Sequence, residues 1–419
     1  MPPVASAYAR HTLDAARVCL VVAAASLPLS TAATNAFAVF AFLFWAASGR
    51  WLPAARAIAA EPPAWLGVCL FAALALGVTW SLAPRGAALD MLVKYRELVL
   101  FGIVMFLCAE TRWRERVLAA ALAGALVLLA LSYALQLGLF EYADERGFSA
   151  PDNAVLLKNA ITHGVMMSLV AFAAAELALR SAGARRWLLG LVAALAAFNV
   201  WFGVQGRTGY LVMVVLVVWF AWRRWAWKGL AGAVPALALV IAAAWLWAPA
   251  FQERLSLAVS EAQEYQARPS PRETSIGYRL HFWKRSAQWL ARNPVLGAGT
   301  GGWSEAFYES TVNDPAFLHD RGHTHPHNEY VHLAVQLGPL GLALYLALLW
   351  AAYRRAGLLP DGYAVLAQGF VLAFAVASLF NDVLRDSTEG HLWALVGGAL
   401  FGASRALRPP GFPAGRAIT

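Results

Sequence analysis

Runs of about 20 apolar residues recur along nearly the whole chain, separated by short gaps rich in arginine. This pattern constrains the fold more than any other feature. About 20 such residues let a helix cross a bilayer, and hydrocarbon offers no partner for unpaired backbone groups. Composition agrees: of 419 residues, 60% are hydrophobic and 14% charged, whereas a typical soluble chain has roughly 45–50% and 25%. An ordinary soluble enzyme, a disordered chain and a coiled coil are thereby excluded. The chain is expected to be an all-α polytopic membrane protein.

Candidate spans lie near 13–30, 32–48, 64–81, 88–108, 117–139, 156–179, 187–204, 208–222, 229–249, 328–352, 362–381 and 388–404. The expectation is thus about twelve transmembrane helices. The gaps near 31 and 206 are short, and each could instead mark one broken helix. Lys and Arg outnumber Asp and Glu by 33 to 24, and their placement tests the topology. With Arg10 and Arg17 in the cytoplasm, every second loop is basic: Arg50 and Arg56, then Arg112, Arg114 and Arg116, then Arg180, Arg185 and Arg186. Arg223, Arg224 and Lys228 follow, then Arg354 and Arg355, then Arg405, Arg408 and Arg416 in the tail. The positive-inside rule therefore puts both termini in the cytoplasm. It also explains the basic excess without a nucleic-acid partner.

The division expected is 1–249 for helices one to nine, 250–327 for one large external loop containing helices, 328–404 for the last three helices, and 405–419 for a cytoplasmic tail. Cys19, Cys69 and Cys108 fall in apolar runs and suggest neither a disulfide nor a zinc site. The first apolar run is expected to be a membrane helix rather than a signal peptide, because others follow at once. Trp51, Trp80, Trp113, Trp187 and Trp303 suit interfacial anchors. In the loop, Ser275–Leu290 reads as an amphipathic helix with Ile276, Leu280, Trp283 and Leu290 on one side. Gly297, Gly299, Gly301 and Gly302 allow close backbone approach.

Polar residues beside apolar spans carry the chemistry. Arg207 lies in the tight external turn Val204–Tyr210 and must either meet an anion or snorkel. Arg279 sits on the loop helix, and its planar fork matches phosphate oxygens. Lys94 and Arg96 could bind a ligand or pair with Asp90 and Glu97, and pairing ranks slightly ahead. Five of the nine histidines fall within 14 residues: His319, His323, His325, His327 and His332. Their spacing matches no zinc-protease signature, so no metal and no cofactor is expected. His327, held by Pro326 just before an apolar run, is best placed to accept a proton from an attacking hydroxyl. His332 is expected to pack or hydrogen-bond between helices.

The architecture and three motifs resemble the O-antigen ligase and polymerase family. His327–Asn328, nine residues, then Gly338–Pro339–Leu340–Gly341 fits that family's histidine motif. Asn293–Pro294–Val295–Leu296–Gly297–Ala298–Gly299 fits its loop motif, and Arg207 and Arg279 stand where it has essential arginines. The resemblance implies a multi-pass protein of the bacterial inner membrane, a periplasmic active site, and two lipid-borne substrates. These are an undecaprenyl-diphosphate-linked glycan donor and a lipid A–core acceptor, with the enzyme acting as a monomer among membrane lipids. It implies His327 as general base and Arg207 and Arg279 on the diphosphate, with Lys94, Arg96, His325 and Asn328 of second rank. Two related readings stay open: an O-antigen polymerase with a lipid-diphosphate-linked acceptor, and a protein O-oligosaccharyltransferase, for which the loop offers little room. A twelve-span transporter would need paired halves, and the sequence has none.

Overall fold

The computed structural model describes residues 3–142, 154–204, 206–267, 275–313 and 322–407. Every regular element among them is helical. The first half contains α1 (Pro3–Ser26), α2 (Thr31–Ala47), α3 (Trp51–Ala60), α4 (Pro62–Gly77), α5 (Arg85–Lys94), α6 (Glu97–Leu107), α7 (Thr111–Gln136), α8 (Ala160–Arg180) and α9 (Gly183–Phe198). The second half contains α10 (Arg207–Trp247), α11 (Pro249–Ala267), α12 (Ser275–Arg292), α13 (Trp303–Thr311), α14 (Glu329–Ala356), α15 (Asp361–Ala377), α16 (Ser387–Leu392) and α17 (Gly398–Phe401).

Among the described residues, six helices are long and apolar enough to cross a membrane, or seven if α2 and α3, bent by 112°, form one span. The expected twelve are not reached by this measure, for identifiable reasons. α1 is long enough but holds Arg10, Asp14 and Arg17. The expected span 88–108 is divided at Tyr95–Arg96 into α5 and α6. α15 has only 17 residues, and 388–404 is α16, a π-helical turn over Trp393–Gly397, and α17.

The expected spans 208–222 and 229–249 both fall in α10, which has 41 residues. A straight helix of that length would part its ends by about 60 Å. Yet the Phe251 ring, just past its end, lies 5.1 Å from that of Tyr210, near its start. Ala226, with φ 49° and ψ −135°, is the point of reversal, and the element is two antiparallel helices joined there. The gap near 31 is a true turn: Ser30 Oγ caps α2 by accepting from Ala33 N at 3.2 Å, and α1 and α2 pack together.

α4, α6, α7, α8, α10, α14 and α15 share the main apolar core, and α1, α2 and α6 a second. A third cluster joins Phe282 and Trp289 of α12, Ala298, Trp303 and Phe307, and Val335 of α14. Trp303 is therefore no interfacial anchor. It is buried, and its indole N–H donates to Ser286 Oγ at 3.0 Å. The face expected for α12 is also corrected. Phe282, Ser286 and Trp289 are the residues it buries, while Ile276, Leu280 and Trp283 line a cavity on another side.

The segment Val295–Gly302 fastens this third cluster to the bundle. Ala298 N donates to Val335 O at 2.7 Å, Leu82 N to Ala298 O at 2.8 Å, and Thr300 N to Gly77 O at 3.1 Å. α14 breaks at Gly338, where φ is 64° and ψ −156°. A Cβ on Gly338 would lie 2.2 Å from Val295 O, and one on Gly297 2.5 Å from Val335 O. The glycines of the two motifs are thus two sides of one contact, which only residues without a Cβ permit. At the opposite ends of these helices, Arg355 grips Glu61 with two bonds of 2.7 and 2.9 Å, and Arg114 donates to Gly402 O at 3.1 Å. Some basic residues expected to mark topology thereby tie helix ends together.

Candidate active site

Arg207 begins α10, and its position is set by how α8 and α10 cross. The crossing is at Gly164 and Gly209, where a Cβ on Gly209 would meet Gly164 Cα at 2.8 Å. Ser168 Oγ closes it by donating to Gly209 O at 3.2 Å. A π-helical turn over Asn199–Gly203 ends the preceding span, and Tyr210 Oη donates back to Val204 O at 2.8 Å. Arg207 Nη1 reaches Glu261 Oε2 of α11 at 3.4 Å, while its Nη2 is buried without a protein partner.

Arg279 comes from α12, and the two arginines share one cavity of about 240 Å³ with Thr208, Leu211, Ile276, Leu280, Trp283 and Phe380. Burial and the neighbouring Arg207 charge pull the Arg279 guanidinium below its ordinary value, against the pull of Glu261 and Asp382. Glu261, itself buried, also accepts from Ile276 N at 3.1 Å, at the start of α12. The sequence therefore brought together the two arginines it singled out, in a pocket with apolar walls. Glu261 was missed, because a lone glutamate on a polar loop helix has no distinguishing mark.

His327 lies on the strand of chain that enters α14. Its φ is 54°, a left-handed conformation that a residue with a Cβ adopts at a cost of about 1–2 kcal/mol. Neighbours hold it there. Trp283 Nε1 donates to Pro326 O at 3.1 Å, and Asn328 caps α14 by accepting from Val331 N at 3.0 Å while donating to Leu379 O at 3.1 Å. Asn328, expected as a second-rank contact, is thus placed as a helix cap that orients its neighbour. The His327 ring sits 4.2 Å from that of His325 and lies nearly parallel to Phe282. Its Nδ1 is buried with no hydrogen-bond partner. Burial lowers its pKa to about 3, helped by His325 and Arg279 and opposed by Asp382. The ring is therefore neutral across the physiological range, as a proton acceptor must be.

Asp382, on the segment between α15 and α16, is the centre of a buried network. His325 Nδ1 hydrogen-bonds to its Oδ2, and His332 Nδ1 faces its Oδ1 at 3.2 Å. Burial pushes its carboxyl up, but the imidazoles of His332 and His325 more than reverse this and hold it below the usual carboxylate range. Glu329 extends the network by accepting from Tyr95 Oη at 3.0 Å and Leu384 N at 2.9 Å. Gln336 joins it to the glycine segment, accepting from Gly301 N at 2.8 Å. His332 is accordingly an interhelical hydrogen-bonding residue, as expected. Asp382 was missed; its only signal is the polar run Asn381–Glu389 between two apolar spans.

His323 packs among Tyr278, Phe282 and Phe307, and His319 lies outside the described residues. Arg96 pairs with Glu97 at 3.1 Å and donates to Asn35 Oδ1, so pairing accounts for it. Lys94 is exposed at the end of α5. His325, His327 and Asp382 have ligand atoms within 4.8 Å of one another and could supply three donors to a cation. Asp382 Oδ2 is already engaged by His325 Nδ1, and Oδ1 faces His332 Nδ1 at 3.2 Å.

The arrangement sets a cavity holding two arginines near a neutral imidazole held by its neighbours. Comparison with known proteins found no match among curated proteins. Residues 191–346, which include Arg207, Arg279, His327 and the glycines that meet at the break in α14, match a family model described as O-antigen ligase, which supports a membrane glycosyltransferase of that kind.

Proposed function

We propose that this chain is an O-antigen ligase of the WaaL type. In this reading it transfers a polysaccharide from undecaprenyl diphosphate to a sugar hydroxyl of lipid A–core, at the periplasmic face of the bacterial inner membrane. The observation that carries the reading is the apolar-walled cavity where Arg207 and Arg279 converge, with Glu261 ion-paired to Arg207. Two fixed guanidinium groups suit a diphosphate, which offers several oxygens and more than one charge.

The acceptor oxygen attacks the anomeric carbon as its proton passes to the His327 imidazole. The bond from that carbon to the diphosphate oxygen breaks, and the electron pair leaves with the lipid diphosphate. Arg207 and Arg279 stabilise the charge that develops there. Direct displacement inverts the anomeric configuration. The donor is already activated, so no nucleotide is consumed, and the two arginines serve where many glycosyltransferases use a divalent cation. Donor binding also sharpens the base. Neutralising Arg279 removes one of the influences that lower the His327 pKa, so basicity rises once the diphosphate is seated.

Reconstitution of the purified protein with lipid A–core and undecaprenyl-diphosphate glycan, with and without chelator, tests the reading. Transfer onto lipid A–core that survives chelation is the expected result. A product that stays attached to lipid diphosphate would make the protein a polymerase instead, and activity abolished by chelator and restored by metal would overturn the metal-free mechanism.

A further inference from the structure

His325 and His327 stand two residues apart on the irregular chain that enters α14, with Pro326 between them. Their rings lie side by side, with centroids 4.2 Å apart. Asp382 reaches them from the segment between α15 and α16, and its side chain is 1% exposed. One imidazole nitrogen of each histidine and one Asp382 oxygen all lie within 4.8 Å of one another. Zinc holds nitrogen and oxygen ligands at about 2.0–2.2 Å, which sets tetrahedral ligand atoms about 3.3–3.6 Å apart. Side-chain movements of about 1 Å therefore close these three groups on an ion.

The hydrogen bonds present leave donors for a metal. His327 Nδ1 is buried with no hydrogen-bond partner among the described residues. Asp382 Oδ1 makes no well-aligned hydrogen bond either, although His332 Nδ1 lies 3.2 Å away. Buried polar atoms ordinarily find partners, so each such atom calls for an explanation. His332 stands where an outer group that orients a metal-binding carboxylate stands. The His325 side chain is 21% exposed, so the cluster is reachable from outside the protein. Two imidazoles and one carboxylate suit zinc and its transition-metal neighbours, whereas Mg²⁺ and Ca²⁺ favour oxygen ligands.

We propose that His325, His327 and Asp382 form a binding site for a divalent transition-metal ion of the zinc type, and that the bound ion switches transfer off. Three protein ligands leave the fourth position of a tetrahedral ion to a solvent molecule. The binding half of the proposal stands on the cluster's geometry alone. The inhibitory half rests on the reading above, in which His327 takes the proton of the acceptor hydroxyl. A neutral imidazole has one nitrogen lone pair, and a lone pair given to a metal is not available to a proton. The ion thus acts as a reversible mask on the base and takes no part in the reaction.

The test uses full-length protein in detergent, purified without a polyhistidine tag. Wild type, His325→Ala, His327→Ala and Asp382→Asn are titrated with Zn²⁺ and with Co²⁺. His11→Ala, at an exposed position on α1, is the control. Wild type should bind one Zn²⁺ per chain, and a large excess of Mg²⁺ should not displace it. Outer partners alone are worth about 10–100-fold in metal affinity, so loss of a direct ligand should weaken binding by at least about tenfold. Co²⁺ should show the visible absorption of a four-coordinate ion in wild type and His11→Ala, and lose it in the other three variants. In the transfer assay, with free Zn²⁺ fixed by a metal buffer, the rate should fall with a midpoint at the measured Zn²⁺ Kd. Excess chelator should restore it.

A wild type that binds no Zn²⁺ overturns the proposal, and so do three site variants that bind it as wild type does. Transfer that is unchanged or faster when the site is saturated overturns the inhibition. If Asp382→Asn fails to fold, His325→Ala, at a partly exposed position, and the wild-type Co²⁺ spectrum decide. A wild type that performs no transfer at any zinc level counts against the ligase reading and the inhibition with it, while the titrations still decide the metal site.

Discussion

Gly338→Ala isolates the contact on which the site's geometry depends. The added Cβ would sit 2.2 Å from Val295 O, against about 3.3 Å for an ordinary C···O contact. The carbonyl and its segment must therefore retreat by about 1 Å. At φ 64° and ψ −156°, an alanine also costs roughly 1–3 kcal/mol in backbone strain. The retreat would stretch the neighbouring 2.7 Å bond from Ala298 N to Val335 O beyond hydrogen-bonding range, losing about 1 kcal/mol more. The total is roughly 2–4 kcal/mol. The chemical consequence is larger, because His327 enters the same half-helix that Gly338 ends. A 1 Å misplacement of a catalytic group lowers the rate by about 10²-fold. Thermal unfolding and kcat of transfer should both be measured, with Gly190→Ala as control, since no atom lies within 4 Å of a Cβ there. A Gly338→Ala protein with wild-type kcat and melting temperature would refute the reasoning.

Other expectations follow from the same geometry. Arg279→Lys should lower kcat/KM for donor by at least about tenfold, because a point charge replaces a fork that binds through two bonds; a Lys variant as active as wild type would remove Arg279 from the diphosphate. His327 is lowered to about pH 3 in the free protein, so its base form persists as pH falls through the ordinary histidine range. The acid limb of kcat/KM should therefore lie below pH 5, and that of kcat, which reports the donor-loaded enzyme, at higher pH; a kcat/KM limb at the ordinary value of about 6.5 would contradict the burial of this ring. Asp382→Asn removes the charge that His325 and His332 face, and should cut kcat by about 10–100-fold while donor affinity changes little, read by a donor-binding assay beside turnover.

Much of the candidate site was legible in the chain because its residues stand out against an apolar background. An arginine in a four-residue turn between two apolar spans, as Arg207 is, has few structural uses. The histidine run and the two glycine motifs are likewise short, local patterns. Glu261 and Asp382 had no such pattern, since a carboxylate in a polar stretch is ordinary until a partner from elsewhere meets it. Asn328 was assigned to the site for its place in a motif, and only its hydrogen bonds showed it to be a cap.

The sequence by itself determined the class of fold and the residue types available for chemistry. These depend on hydrophobic length, charge placement and composition, all of which are properties of segments. Tertiary structure alone decided where helices break. Ala226 reverses α10, and Gly338 opens α14 to receive the Val295–Gly299 stretch from 40 residues earlier in the chain. It also decided which charges meet: Arg207 with Glu261, and Asp382 with two imidazoles. Such encounters arise from helix crossings and backbone contacts between distant segments, and no local pattern of residues encodes them.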